Sequence, residues 1–212
     1  MDNITKKRIK LQEAIKQHPE IEVLNYLGGG NKGEAYLLKD GSVLKITIDR
    51  DEYITAMTLL NKKLNHVIDI YDGWDFECIY DENEYTDNLF AIKEEYIDTT
   101  SQRDTIKKFV AAFKHAWFSL YFPSIGYQRA TFDDLDEYMI NLHLHPDAKS
   151  FTKKYILTQG ENNQRGVFED MYNQLAAAYA ELSQYVPNAR LDLNDGNIGF
   201  TSHGILKVFD MQ

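Results

Sequence analysis

The sequence predicts an α+β protein: a five-stranded antiparallel sheet with one helix in its first part, then a mostly helical part that ends in a short hairpin. Three observations lead there. The glycine-rich stretch "NYLGGGNKGEAYLLKDGSVLKIT", residues 25–47, is followed by a strand, a turn and a second strand, not by a helix. Two more strand-like runs come before residue 98. Beyond them the apolar residues change to helical spacing.

The 212 residues are 43% hydrophobic and 13% aromatic, with 14 Tyr and 11 Phe, which is enough for a packed core and argues against disorder. The formal net charge of −10 argues against non-specific nucleic-acid binding, because phosphates need Lys and Arg to displace their counterions. The single Cys78 cannot form an internal disulfide, and no Cys/His cluster has zinc spacing, so a reducing cytoplasm is expected. The opening "MDNITKKRIKLQEAIKQ" lacks the long apolar core of a signal peptide. No apolar run is long enough for a bilayer, so no membrane partner is expected.

The elements follow in order. Residues 4–17 read as a surface helix stopped near Pro19, and Ile21 to Tyr26 as a strand. Ala35 to Leu38 and Val43 to Ile48 form a hairpin around Asp40-Gly41. "DRDEYITAMTLLNKKL" is a helix carrying Glu52, Met57, Leu59, Leu60 and Leu64, with Asp49 or Asp51 near its N-cap. "HVIDIYDGWDFECIY" and "NLFAIKEEYID" read as two strands joined by an acidic loop.

The helical part opens with "SQRDTIKKFVAAFKHAWFSLYF", with Ser101 as N-cap and Ile106, Phe109, Val110, Phe113, Trp117 and Leu120 on one face. A second helix is capped by Thr131 and ends before Pro146, and "RGVFEDMYNQLAAAYAELSQYV" is a third. His143 and His145 are two apart on a helix, do not face each other and have no third ligand, so no metal site is expected there. A final hairpin pairs Ile198 to Phe200 with Ile205 to Phe209 around Ser202-His203-Gly204.

Two stretches carry chemistry. Gly28, Gly30 and Gly33 make a G-x-G-x-x-G pattern. A dinucleotide-binding unit would need a helix after it. Here strands follow, so the glycines read as a loop held between two strands that can approach phosphates without Cβ clashes. Lys45 lies inside the next strand between Leu44 and Ile46, where an ammonium must be paired. The second stretch is "NARLDLNDGNIGFTSHGILKVFDMQ", with Asp192 and Asn197 spaced D-x-x-x-x-N and Asp210 after the hairpin. Asp192 can orient an acceptor hydroxyl and take its proton, while Asn197 and Asp210 can bind Mg²⁺ from the two sides of the hairpin. The plainer alternative is an Asx-rich turn leading into a hairpin.

Gly28, Gly30, Gly33, Lys45, Glu52, Asp192, Asn197 and Asp210 stand in the order of the protein-kinase-like superfamily. The chain resembles that superfamily, and most resembles the small divergent kinases of bacteriophages and prophages. "DLNDGNIGF" is also similar to the catalytic loop of aminoglycoside and choline kinases. The resemblance implies a bilobal fold, with an N-lobe over residues 1–97 and a reduced helical C-lobe over 98–212. It implies that Lys45 contacts the α- and β-phosphates of ATP and is held by a glutamate on the next helix, Glu52, with Asp51 adjacent. It implies that backbone groups around Glu95 and Tyr96 hold the adenine edge. The expected cofactors are ATP and Mg²⁺.

The sequence departs from the family at two places. The catalytic loop opens Arg190-Leu191-Asp192 where the family has His-Arg-Asp, and Asp210-Met211-Gln212 stands where the family has Asp-Phe-Gly. No activation loop or Ala-Pro-Glu segment follows, so switching by activation-loop phosphorylation is not expected. The resemblance implies an ATP-dependent Ser/Thr protein kinase acting on host or partner proteins, in the host cytoplasm if phage-encoded. The alternatives are a nucleotide-binding pseudokinase that serves as an interaction module, or a small-molecule kinase.

Overall fold

The computed structural model describes residues 15–30, 32–76, 89–121, 153, 154, 157, 165–187 and 193–209, with the backbone alone at 116–121. The chain divides into two compact units, Met1–Lys63 with Asp69–Tyr96, and Leu64–Ile68 with Ile97–Gln212. The architecture is α+β, as the sequence predicts.

Among its described residues the first unit holds a five-stranded antiparallel sheet, a helix over Arg50–Thr58 and a short helical stretch at 15–17. Its strands are β1 (Val23–Gly29), β2 (Gly33–Leu38), β3 (Val43–Thr47), β4 (Ile70–Phe76) and β5 (Leu89–Glu94), ordered β1-β2-β3-β5-β4. The β2–β3 hairpin turns at Asp40 and Gly41, where Gly41 has φ 87, a left-handed conformation that suits glycine. Asp40 accepts from both the Ser42 N–H and its hydroxyl, closing the turn. Side chains alternate along the strands. Tyr36, Leu38, Leu44, Ile46 and Ala91 pack with Ile21, Phe76 and Leu89 into one buried cluster. Lys45 falls between Leu44 and Ile46, and sits opposite Ala35 and Ile92 in the ladder.

Several boundaries differ from the sequence expectation: β4 starts at Ile70, not His66, β3 ends one residue before Ile48, and β1 and the helix after β3 differ as follows. β1 starts at Val23, not Ile21, and runs on through Gly29, so the first glycines belong to the strand. Ile21 instead donates its N–H to His18 in a turn and buries its side chain in the core cluster. Helix α1 spans Arg50–Thr58 and stops well before Leu64. Leu59 is its C-cap, and Asn61 follows with φ 60. Asparagine tolerates that left-handed conformation and ends the helix, so Leu59, Leu60 and Leu64 are not carried on it. α1 lies against β4 and β5. Tyr53 stacks on Phe90 with ring centroids 4.7 Å apart, and Gly73 makes room for Met57, whose Cε lies 2.2 Å from where a Cβ would stand.

The second unit contains α2 (Arg103–Tyr121), α3 (Arg165–Leu182), and a hairpin of β6 (Ile198–Phe200) and β7 (Leu206–Val208). Ile106, Phe109 and Phe113 of α2 and Phe168, Met171, Leu175 and Leu182 of α3 are buried, and Phe109 meets Phe168 edge-on at 5.8 Å. α2 begins two residues after Ser101. The preceding turn is held by Asp98, whose carboxylate accepts the N–H of Thr100 and Ser101 at 2.8 and 3.2 Å, and Gln102 follows with φ 63. The hairpin turns at Gly204, φ 77. The segment 64–68 joins β7: Ile68 donates to Val208, Val208 donates to His66, and Glu181 of α3 accepts the His66 N–H at 2.9 Å.

The expected N-terminal helix before residue 15, Cys78, the helix after Thr131, and His143 and His145 lie outside the described residues. Among the described residues no helix is long and apolar enough to cross a membrane.

Candidate functional site

The three glycines have different physical reasons to be glycine. A Cβ at Gly33 would stand 2.4 Å from the Ile46 carbonyl oxygen, so the β2–β3 pairing itself excludes any larger residue. A Cβ at Gly28 or Gly30 would meet nothing within 4 Å. The turn between β1 and β2 is closed by the Gly30 N–H donating to the Gly33 carbonyl at 2.9 Å. Gly28 has φ 158, a conformation that side chains rarely adopt, so its backbone already favours glycine, whereas neither packing nor backbone conformation demands glycine at position 30.

Lys45 of β3 forms an ion pair with Glu52 of α1. Their side chains are only 18% and 7% exposed, so the pair compensates the two charges largely out of water. Asp51, the alternative partner, is exposed. Glu52 reaches Lys45 because Asp49 caps α1 and sets where the helix starts. Its Oδ1 accepts the N–H of Asp51 at 3.0 Å and of Glu52 at 3.3 Å. Its Oδ2 accepts from the Lys32 ammonium at 2.7 Å. Burial pushes the Asp49 carboxyl up, but the Lys32 hydrogen bond and the backbone N–H groups outweigh it and leave the carboxyl below its usual range.

Beyond β5, the Glu95 N–H donates to the Asp69 carbonyl at 2.9 Å, and the Glu95 carboxylate accepts the Asp69 N–H at 3.2 Å. That N–H is therefore already engaged, and an adenine edge there would use other backbone groups. Tyr96 is exposed.

In the second unit, Asn197 stands where a tight turn enters β6. The Asn194 carboxamide accepts the Gly196 N–H at 2.8 Å, and the Asn194 carbonyl accepts the Asn197 N–H at 3.2 Å. The Asn197 carbonyl accepts the Phe209 N–H at 3.1 Å across the open end of the hairpin. Asn197 is buried, and the residue after its partner Phe209 is Asp210. Asp195, in the same turn, faces Arg103 Nε at 3.6 Å and Lys107 Nζ at 4.0 Å. Asp192 and Asp210 themselves lie outside the described residues. Among the described residues no three His, Cys, Asp or Glu side chains gather as a metal site. The Asn197 carboxamide and an Asp210 carboxylate are both hard oxygen donors, the type that Mg²⁺ takes.

Two features of the first unit escape a reading of the sequence: Lys32, inside the glycine stretch, and the second role of Asp49. The one local signal was a lysine among glycines.

No protein-family model matches the chain, and no curated protein matches it. A solved structure of the streptomycin–ATP–APH(2")-IIa ternary complex is similar to it at 18% identity and a TM-score of 0.34, over 95% of this chain and 69% of that one. The likeness is weak in both sequence and shape.

Proposed function

We propose that the chain is an ATP-dependent phosphotransferase that moves the γ-phosphoryl group of ATP to a hydroxyl, with Ser and Thr of a protein as the acceptors. The observation that carries it is the buried Lys45–Glu52 pair on the sheet whose β1–β2 turn keeps glycine at position 30, where neither the chain's own packing nor its backbone conformation demands it. A buried ion pair is a weak source of stability. A lysine positioned by a carboxylate on a neighbouring helix is instead a fixed cation for an anionic ligand, and an open glycine lets phosphate oxygens approach backbone N–H groups.

In this proposal Gly28, Gly30 and Gly33 line the phosphates, and Lys45 contacts the α- and β-phosphates. Backbone groups around Glu95 and Tyr96, other than the Glu95 N–H, hold the adenine. Asp192 accepts the acceptor's proton as its oxygen bonds the γ-phosphorus. The bond from that phosphorus to the β–γ bridging oxygen breaks, and ADP leaves. Asn197 and Asp210 would hold Mg²⁺, which neutralises phosphate charge.

The test is a thermal melt with and without Mg·ATP. At a ligand concentration a hundred times Kd, binding to the native state stabilises it by about 2.7 kcal/mol. An upward shift that Lys45→Met reduces is expected. No shift with or without Mg²⁺ would remove ATP from the account.

A further inference from the structure

Among the described residues, Lys32 ties the glycine turn to the start of α1. Its carbonyl accepts the Ile48 N–H at 2.9 Å and the Thr47 hydroxyl at 3.4 Å. Its ammonium donates to Asp49 Oδ2 at 2.7 Å. Asp49 in turn donates its N–H to the Thr47 hydroxyl at 3.0 Å. Both oxygens of the Asp49 carboxylate are therefore used, one on the N-terminus of α1 and one on the turn. The carboxylate is 13% exposed and the ammonium side chain 57%, so Asp49 is the fixed member and Lys32 the member that comes to it.

The consequence is a closed circuit of contacts within the first unit. Lys32 reaches Asp49, Asp49 caps the turn that begins α1, Glu52 in that turn holds Lys45, and Lys45 lies two residues before Thr47 in β3. Neither the sheet register nor the cap needs the ammonium: asparagine or serine caps a helix as well as aspartate does.

We propose that Lys32 and Asp49 are positioning residues for a nucleotide's phosphates, the pair holding the glycine turn and the Glu52–Lys45 pair at one fixed spacing. The nucleotide rests on the phosphotransferase reading; the link between turn and helix rests on the first unit alone.

The test begins without any ligand, by amide hydrogen exchange on wild type, Lys32→Met, Lys32→Arg, Asp49→Asn and the Lys32→Met/Asp49→Asn double variant. Lys32→Met is expected to speed exchange at Gly30 and Ile48 and also at Glu52 and Tyr53 in α1, by about two- to fivefold, the range a partly exposed ion pair supports. Lys32→Arg should restore protection. Asp49→Asn should speed the same amides, and the double variant should add nothing further, as for two residues that act through each other. The second measurement is Mg·ATP affinity, expected to fall about two- to fivefold in Lys32→Met and to recover in Lys32→Arg.

If α1 amides exchange at the wild-type rate in Lys32→Met, or if the two variants' effects add, the inference is overturned while wild-type nucleotide affinity is unaffected. If wild type binds no Mg·ATP, the phosphotransferase reading falls, and the assignment of the pair to phosphates falls with it.

Discussion

Lys45, in the middle of β3, and Glu52, in the first turn of α1, form an ion pair with both side chains largely out of water. Taking one partner away removes the charge that the other faces in this pair. Lys45→Met should therefore destabilise the protein by about 3 kcal/mol. The double variant Lys45→Met/Glu52→Leu should recover most of that, because two apolar groups need no partner. Urea unfolding of the single and double variants measures both. A neutral Lys45→Met would show that Glu52 is solvated without Lys45.

The glycines divide by experiment as they do by geometry. Gly33→Ala puts a Cβ 2.4 Å from the Ile46 carbonyl and should cost about 1–3 kcal/mol of stability. Gly30→Ala meets nothing and should change stability by no more than about 0.5 kcal/mol. It should nevertheless weaken Mg·ATP binding, which titration calorimetry would read. Full affinity in a stable Gly30→Ala protein would remove that glycine from the site.

Much of the first unit was legible because its signals are local. Asp40-Gly41 marks the β2–β3 turn by backbone conformation alone, and Lys45 stands out as a cation inside an apolar strand. The end of α1 was missed because Leu59 and Leu60 continue an apolar pattern, while the stop signal is the left-handed Asn61. Ser101 looked like a cap, but the carboxylate of Asp98 organises that turn. The Lys32–Asp49 contact spans 17 positions and depends on how the glycine turn folds back onto β3, so no short window of sequence contains it. Motif spacing alone points to Asp192 and Asp210, and their roles stand as proposals.

Asp40 and Asp98, like Asp49, are carboxyls held below their usual range, which ties stability to pH. The hydrogen bond from Lys93, with those from Ser42, lowers Asp40 from 3.8 to about 2. The Thr100 hydroxyl and N–H, with Ser101, lower Asp98 from 3.8 to about 2. A carboxyl depressed in the folded state stabilises it above the unfolded value, and that contribution is lost as the pH falls from about 3.8 through about 2. Asp98→Asn keeps an acceptor for Thr100 but removes the titration. Its stability should fall less steeply than that of wild type between about pH 5 and pH 2, which urea midpoints across that range would show. An unchanged slope would mean that Asp98 is not depressed.

Asn197 is buried at the open end of the β6–β7 hairpin, and its carbonyl holds the residue before Asp210. Asn197→Ala and Asp210→Asn should each raise the Mg²⁺ concentration needed for nucleotide binding by at least about tenfold. Circular dichroism should remain native. An Asp210→Asn protein with unaltered Mg²⁺ dependence would place the metal elsewhere.

The central claim is phosphoryl transfer, and Asp192 separates transfer from binding. The decisive measurement is the rate at which labelled γ-phosphate passes from Mg·ATP to acceptor proteins, for wild type and Asp192→Asn, with nucleotide affinity measured on the same samples. Asparagine can cap the turn as well as aspartate but cannot take a proton. Wild type should label Ser or Thr residues. Asp192→Asn should bind Mg·ATP with nearly the wild-type affinity and transfer about 10²–10⁴-fold more slowly. Transfer at the wild-type rate by Asp192→Asn, or no transfer by a wild type that binds Mg·ATP, would contradict the claim and leave a nucleotide-binding scaffold.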